Sequence, residues 1–313
     1  MLAATIRDGE LVIEEHPDPE PGAGQVLVAV RAAGLNAADL MQLAGGYPAP
    51  PGSPQDIPGL EVAGEVVGTG TGTTRFKQGD RVMGLLGGGA QAELAVVHER
   101  VLMPIPERVA WPEAGGVPEA FTTAHDALFT QAGLRAGERL LVHGAAGGVG
   151  TAAVQLGHHA GARVTATVRN PDHRAAVAAL GATVLEPDGF AAHGPFDLIL
   201  ELVGAVNLAD NIQSLDFNGR ISIIGTSAGA VAEINLGLLM GKRSRVYGST
   251  LRARPLEQKA LTARAVERSV LPALAAGQIT VPIAQTFGLE DAVAAYDRFA
   301  AGSKLGKIVL VNG

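Results

Sequence analysis

The chain has 313 residues, no cysteine and a formal net charge of −7. Hydrophobic residues make up 47% of it and charged residues 18%, which suits a well-buried globular enzyme and excludes an intrinsically disordered protein. The acidic balance argues against nucleic acid or an anionic membrane surface as a partner. Without cysteine there is no disulfide, thiol nucleophile or cysteine-ligated zinc, and we expect a cytoplasmic, reducing compartment.

Neither the N-terminus nor the longest uncharged stretch predicts a segment that enters a membrane. The first fifteen residues carry charges at once and lack the apolar core of a signal peptide. A longer stretch, Leu140 to Ala162, contains no Asp, Glu, Lys or Arg. Its glycines, its histidines and the turn signal in its middle favour a buried strand followed by a helix over a membrane span.

The pattern of predicted strands and helices changes twice along the chain. About the first 115 residues are β-rich, with short β-branched runs separated by Pro and Gly. From about residue 116 to 252, apolar strands alternate with helix-length segments, which implies crossover units and a parallel sheet. The predicted order there is strand 140–144, a helix from Val149, strand 164–168, a helix from Pro171, strands 183–186 and 197–202, a helix near Asn207 and strand 220–225. The remaining residues mix helix and strand patterns and end in a strand, Lys307 to Val311. The sequence therefore predicts a β-rich domain with a doubly wound domain inserted into it.

The sharpest local signal is the glycine-rich segment from Arg139 to Gly150, RLLVHGAAGGVG. An apolar strand runs into a glycine turn that opens a helix. Glycines allow the backbone to approach a pyrophosphate, and the helix start offers free N–H groups and the positive end of a dipole. The spacing is GxxGGxG rather than GxGxxG, and a tight strand–helix turn without a ligand is the alternative.

The next strand ends at Arg169, and this residue bears on the choice of cofactor. NAD-binding folds usually place an acid there to hold the ribose 2′-hydroxyl. Here the position carries arginine, with His173 and Arg174 a turn later. A guanidinium matches a 2′-phosphate and an acid would repel it, so the sequence predicts NADPH over NADH. A solvated surface arginine is the alternative.

With these residues in place, the chain resembles the medium-chain dehydrogenase/reductase superfamily over nearly its full length. Within it, the zinc-independent quinone oxidoreductases (zeta-crystallin-like) match best, especially their tumour-suppressor-inducible branch. The resemblance rests on the glycine-rich segment and on Leu35–Gln42, Gly46–Gly52, Gly59–Gly64, Gly79–Val82, Gly87–Ala92, Leu102–Glu107, Pro118–Ala120 and Gly306–Leu310. It implies an α/β protein with a β-rich GroES-like catalytic domain (1–117 and 253–313) and an inserted doubly wound Rossmann NADPH-binding domain (118–252).

The resemblance also implies an assembly and the absence of a metal. Relatives pair the last strand of the Rossmann sheet, here within Ser244–Thr250, with its symmetry mate, so we expect a homodimer. Zinc-dependent relatives carry a histidine in a Gly-His-Glu motif, where this chain has Leu60, and their first cysteine ligand falls near Asn36. His158 and His159 are adjacent on a helix and point apart. We therefore expect no metal.

Reduction of a quinone or an enone needs a hydride donor beside an electrophilic carbon, and a hydrogen-bond donor near the oxygen stabilises the developing charge. The candidate catalytic residues are Asn36, whose alternative is a turn or helix cap, and Tyr47, whose alternative is a packed loop anchor. We expect Asp39 to cap or brace the following helix rather than to move protons, and Glu61 to be structural. We expect Lys307 to be a solvated lysine, with a contact to a phosphate as the alternative. The resemblance suggests that the cofactor meets Thr123, Gly147, Gly148, Val149, Arg169 and Gly225.

Three functions remain open at this point. The first is an NADPH:quinone oxidoreductase that transfers hydride from NADPH to a quinone. The second is an enone or 2-alkenal reductase, which uses the same hydride geometry on a carbon–carbon double bond. The third is an NADPH-binding sensor or structural protein with little turnover. Turnover with a panel of quinones and enals separates them.

Overall fold

The computed structural model of the protein describes all 313 residues. Its strands are β1 (Leu2–Arg7), β2 (Glu10–Glu15), β3 (Gln25–Gly34), β4 (Glu61–Thr69), β5 (Arg81–Leu85), β6 (Leu94–His98), β7 (Leu102–Pro104), β8 (Arg139–Val142), β9 (Arg163–Thr167), β10 (Ala182–Leu185), β11 (Phe196–Glu201), β12 (Leu215–Ile223), β13 (Arg245–Gly248), β14 (Ile283–Gly288) and β15 (Lys307–Val311). Its α-helices are α1 (Ala37–Leu43), α2 (Trp111–Gly115), α3 (Pro118–His125), α4 (Gly148–His159), α5 (Arg174–Ala179), α6 (Leu208–Ser214), α7 (Leu236–Lys242), α8 (Leu256–Ser269), α9 (Leu271–Ala275) and α10 (Ala292–Ala300).

The chain divides into two compact units. The first consists of Met1–Thr122 and Leu251–Gly313, and the second of Thr123–Thr250. The first unit is therefore discontinuous in sequence, and the second is inserted into it. The boundary predicted after residue 117 lies five residues before the one observed after 122, and the boundary predicted after 252 lies two residues past the one observed after 250.

The first unit is built on a mostly antiparallel seven-stranded sheet. Its strands follow the order β14-β15-β3-β4-β5-β7, and β6 also pairs with β3. Alternation of buried and half-buried residues along the long strand β3 places Val26, Val28 and Val30 in the core. The same strand pairs with β15 from the far end of the chain, at the register Val309 to Gly34. This pairing brings the C-terminal residues next to the start of α1.

The second unit is a six-stranded parallel sheet in the order β10-β9-β8-β11-β12-β13. In the unit's own numbering this is 3-2-1-4-5-6, the doubly wound order, with its switch point between β8 and β11. The predicted α/β fold with a Rossmann sheet is confirmed. The uncharged stretch from Leu140 to Ala162 forms most of β8 and all of α4, and none of the helices is both long and apolar enough to span a bilayer.

One predicted helix begins differently from expectation. The helix expected from Pro171 starts with a 3-10 turn, Pro171–His173, and becomes α-helical at Arg174. Proline suits this first turn because its missing N–H has no helical partner there. The predicted stop is observed, since Gly181 follows the helix with a φ of +107°.

Candidate functional site

The glycine-rich turn between β8 and α4 forms a tight backbone cradle. Gly144 has a φ of +61°, and a Cβ on Gly150 would lie 2.4 Å from the Gly144 oxygen. No other residue fits at Gly150 without displacing the loop. Gly147 is the N-cap of α4, and Gly148 and Val149 are its first two residues. The predicted cofactor contacts therefore lie where free N–H groups favour an anion, and the cradle fits a dinucleotide pyrophosphate.

Arg169 and Arg174, both predicted near the adenine ribose, have different surroundings. Arg169 is exposed directly after β9, and its guanidinium makes no hydrogen bond or ion pair within the protein. Arg174 is committed elsewhere, because its Nη1 lies 2.7 Å from Glu186 and its Nε donates to the Val168 oxygen at 3.2 Å. Nε2 of His173 is buried without a hydrogen-bond partner. Of the two arginines, only Arg169 has a guanidinium that is exposed and makes no hydrogen bond or ion pair within the protein.

Gly225 lies just after β12, and Thr123 is buried in α3. A Cβ on Gly225 would lie 2.4 Å from the Leu202 oxygen, so the segment after β12 touches the segment after β11 through backbone alone. The glycine turn, Arg169 and Gly225 follow the carboxyl ends of three parallel strands. This is the edge of a doubly wound sheet where ligands bind.

In the first unit, Lys307 joins the start of α1 to β4. Its Nζ lies 2.5 Å from Glu61 Oε1 and donates to Asn36 Oδ1 at 2.6 Å and to the Leu35 oxygen at 2.8 Å. Lys307 is 3% exposed and Glu61 is 0% exposed, so the expectation of a solvated lysine is wrong. Pairing of β15 with β3 carries Lys307 into the core, where a lysine needs a carboxylate partner.

Asn36 is fully engaged in this buried cluster. Its Nδ2 donates to Glu61 Oε1 at 3.0 Å and to the Gly34 oxygen at 3.2 Å, while its Oδ1 accepts from Lys307. Both amide hydrogens are therefore donated within the protein. The geometry gives Asn36 an orienting place at the N-cap of α1 and leaves it no spare donor for an acceptor molecule.

Asp39 braces the same helix start, as the sequence predicts. Its carboxylate accepts from the backbone N–H of Asn36 at 2.8 Å and from that of Gly59 at 3.2 Å. The side chain is completely buried, and burial raises the pKa of Asp39 to about 7. A carboxyl group that titrates near neutrality thus lies beneath the start of α1.

Tyr47 lies half-buried in the loop after α1, and its hydroxyl makes no hydrogen bond within the protein. Buried Arg252 ties this loop to α1 and to the loop after β5. Its Nη1 donates to the Tyr47 main-chain oxygen at 2.7 Å, its Nε to the Gly87 oxygen at 2.8 Å, and its Nη2 to the side-chain oxygen of Gln42. No carboxylate binds the guanidinium. Burial raises the pKa of the Tyr47 hydroxyl, and the positive charge of Arg252 opposes that rise.

The position of the missing zinc ligand is filled by packing. Leu60 is 2% exposed and lies in an apolar cluster with Leu85 and Leu251. No group of three or more His, Cys, Asp or Glu side chains is arranged to hold a metal ion. The carboxylate next to Leu60, that of Glu61, is neutralised by an ammonium group instead.

Comparison with known proteins identifies both units. An alcohol dehydrogenase GroES-like domain matches residues 22–107, and a zinc-binding dehydrogenase domain matches residues 148–267. The human quinone oxidoreductase is 30% identical over 306 residues, which cover 94% of this chain and 91% of that protein. The spectinabilin polyketide synthase system protein NorB of Streptomyces orinoci is 35% identical over 307 residues, but the chain spans only 14% of its length.

Solved structures share the whole fold. An NAD-dependent alcohol dehydrogenase superposes with a TM-score of 0.89 at 26% identity, covering 100% of both chains. A mycobacterial protein solved as a complex with NADPH superposes with a TM-score of 0.87 at 25% identity, again covering 100% of both chains. With its GroES-like unit, its inserted Rossmann unit and this similarity to the human quinone oxidoreductase, the chain belongs to the medium-chain dehydrogenase/reductase superfamily of oxidoreductases.

Proposed function

We propose that the protein is an NADPH-dependent quinone oxidoreductase that transfers a hydride to a quinone without a metal. NADPH, bound to the second unit, supplies the hydride. The residues of the chain bind the cofactor, orient the acceptor and stabilise the charge that develops on it. The proposed cofactor contacts are Thr123, Gly147, Gly148, Val149, Arg169 and Gly225. The similarity to the human quinone oxidoreductase supports a quinone as the acceptor.

The preference for NADPH is supported by the turn after β9. An exposed guanidinium without a protein partner stands where an acid would hold an unphosphorylated ribose. The planar guanidinium of Arg169 matches a phosphate group. The nearest acid along the chain, Asp172, lies in the 3-10 turn that follows, where its backbone N–H donates to the Asn170 side chain. One solved neighbour is a complex with NADPH and another is an NAD-dependent alcohol dehydrogenase, so the proposed preference rests on Arg169.

The single observation that carries the catalytic proposal is the uncommitted hydroxyl of Tyr47, held in place by Arg252. As hydride reaches the acceptor, negative charge grows on its oxygen, and the hydroxyl stabilises that charge by donating a hydrogen bond. The second proposed residue, Asn36, acts as a positioning residue, because both its Nδ2 hydrogens are donated within the cluster.

A second acceptor class is favoured by the same hydroxyl. Reduction of an enone or 2-alkenal places the hydride on one carbon of the double bond and requires a proton on the other. In that reaction Tyr47 donates its hydroxyl proton, which no protein group accepts, to the second carbon and regains a proton from solvent. The test is NADPH oxidation measured with matched quinones and enals. Turnover of quinones supports the proposal, turnover of enals alone replaces it with a double-bond reductase, and NADPH binding without any turnover indicates a sensor or structural protein.

We also propose that the protein forms a homodimer through β13. This strand is at the edge of the sheet and pairs only with β12. The helix that leads into it, α7, exposes 65% of Leu236 and 76% of Met240, which are large apolar side chains. Light scattering should give a dimer for the wild type and for Leu261→Lys, an exposed position in the first unit, and a monomer for Met240→Lys. A wild-type monomer at micromolar concentration contradicts the proposal.

A further inference from the structure

A buried chain of hydrogen bonds lies at the switch point of the parallel sheet. His143 follows β8 directly, Thr167 ends β9 and Glu201 ends β11, so all three lie at the carboxyl edge. His143 and Glu201 lie at the carboxyl ends of β8 and β11, the two strands between which the order of the sheet reverses. Each is only 1% exposed, and Asn211 of α6, which joins them, is 0% exposed. These polar groups occupy a place where apolar packing would cost less.

The donors and acceptors of this chain have one consistent direction. Asn211 Nδ2 donates to Glu201 Oε2 at 2.7 Å, so Asn211 Oδ1 must accept, and His143 Nε2 donates to it at 2.8 Å. Burial lowers the pKa of His143 and favours the neutral ring. Its Nδ1 then accepts from the Thr167 hydroxyl at 2.9 Å. The chain therefore runs Thr167 to His143 to Asn211 to Glu201 and ends on a carboxylate.

That carboxylate fixes the backbone that follows β11. Glu201 Oε1 accepts from the N–H of Val203 at 2.6 Å and of Gly204 at 2.9 Å, and Asn207 Nδ2 donates to both oxygens at 3.2 to 3.3 Å. No lysine or arginine pairs with it. It is instead held by the N–H groups of Val203 and Gly204 and by the side-chain amides of Asn207 and Asn211.

The turn after β11 is hydrogen-bonded to the segment after β12, which contains Gly225. The Val203 oxygen accepts from Ala228 N at 2.8 Å, and Ala205 N donates to the Gly229 oxygen at 2.9 Å. At the opposite end of the hydrogen-bond chain are Thr167 and His143. The glycine-rich turn starts directly after His143, and Ala145 N donates to the Thr167 main-chain oxygen at 3.2 Å. One buried network thus joins the pyrophosphate cradle to the segments after β11 and β12.

We propose that the His143–Asn211–Glu201 chain positions the nicotinamide half of the dinucleotide by fixing residues 202–204 and 225–229 relative to the glycine-rich turn. The adenine half lies with Arg169 after β9, beyond the Thr167 end of the hydrogen-bond chain, and so does not depend on the carboxylate of Glu201 at the other end. These are positioning residues, since none of them needs to touch the cofactor. The inference rests on the proposed function only in requiring that the second unit bind a nicotinamide dinucleotide.

The test compares two ligands that share the adenine half. NADPH and 2′-phospho-ADP-ribose, which lacks nicotinamide, are titrated into wild type and Glu201→Gln, with bound NADPH also followed by the fluorescence of its dihydronicotinamide ring. The substituted amide can no longer accept from both ends of the turn. We expect NADPH to bind about tenfold more weakly and 2′-phospho-ADP-ribose to change less than about twofold. The matched control is Asp197→Asn, which breaks the ion pair with Arg139 at the opposite end of the same strand and should leave the ratio of the two affinities unchanged.

Other outcomes are equally decisive. Equal weakening of both ligands, or no weakening of NADPH, overturns the inference and makes the network a support of the fold alone. If Glu201→Gln does not fold, Asn207→Ala takes its place, because it removes a half-buried donor to the same carboxylate, and a smaller loss confined to NADPH is expected. If wild type binds neither NADPH nor NADH, the proposed function fails. If Glu201→Gln or Asn207→Ala folds and binds NADPH with an unchanged ratio of NADPH to 2′-phospho-ADP-ribose affinity, only the positioning role is refuted.

Discussion

Arg252 donates a hydrogen bond from Nη1 to the main-chain oxygen of Tyr47 over 2.7 Å, and its guanidinium carbon lies 5.0 Å from the centre of the Tyr47 ring. The backbone and the ring of the proposed donor are therefore both fixed by a residue far away in the sequence. No carboxylate binds Arg252, so its positive charge remains available to the tyrosine ring.

Substitution of Tyr47 by phenylalanine tests the donor. If the hydroxyl stabilises the reacting oxygen, Tyr47→Phe should lower turnover by about tenfold or more, since one such donor contributes on the order of 1.4 to 4 kcal/mol. NADPH affinity should barely change, and Tyr247→Phe, in the second unit, serves as the matched control. Steady-state kinetics with several acceptors measures both variants. Unaltered turnover would make Tyr47 a packing residue of its loop.

Arg252 should act through Tyr47. Arg252→Lys keeps the charge but cannot reach the Tyr47, Gly87 and Gln42 oxygens together, so we expect turnover to fall about tenfold. In a Tyr47→Phe background the same substitution should change turnover less than about twofold, because the hydroxyl that it positions is already absent. An equal loss in both backgrounds, with native thermal unfolding, would show that Arg252 acts independently of the hydroxyl.

The buried carboxyl of Asp39 predicts a pH dependence of stability. Burial raises its pKa to about 7 in the folded protein, above the value of 3.8 for an exposed group. Between these values the folded state binds one more proton than the unfolded state, so the free energy of unfolding falls as the pH rises from about 4 to 7. For this single group the slope is at most about 1.4 kcal/mol per pH unit. Denaturant unfolding of wild type and Asp39→Asn across this range measures it, and parallel curves would contradict the assignment.

Arg169 should set the preference between the two nicotinamide cofactors. A charge-assisted contact to a phosphate contributes about 1.5 to 3 kcal/mol, so Arg169→Ala should weaken NADPH by roughly ten- to a hundredfold and leave NADH nearly unchanged. Arg169→Asp should reverse the preference, because a carboxylate repels phosphate and accepts the 2′-hydroxyl. Arg163→Ala, at the other end of β9, is the control. The ratio of NADPH to NADH affinity, from titration, decides; a ratio that Arg169→Asp leaves in place refutes the argument.

Local patterns predicted the second unit well. The alternation of strands and helices, the glycine turn and the proline at the start of a helix act over a few residues, and each appears in the structure at or near its predicted place. Parallel strand order follows from that alternation and from short connections. The GroES-like unit was predicted from the family resemblance, because its strands pair residues far apart in the chain.

Long-range contacts explain what sequence reasoning missed. Lys307 resembles a solvated lysine until β15 pairs with β3 and carries it to Glu61. Arg252 has no motif around it, and its three acceptors come from the helix and loops of the distant N-terminal segment. Glu201 did leave a signal, since it is a charged residue directly after the apolar run Leu198–Leu200 of β11. Such a charge is buried only when donors converge on it, which a linear pattern does not reveal.

Kinetics on protein of known metal content show whether hydride passes from NADPH to a quinone without a metal. Purified protein is treated with chelator, its metal is measured by elemental analysis, and kcat/KM for a quinone is determined with NADPH and with NADH. We expect well below one metal per chain, turnover that chelation leaves intact, and a preference for NADPH of at least about tenfold. Stoichiometric zinc whose removal abolishes turnover, or a preference for NADH, would contradict the proposed function.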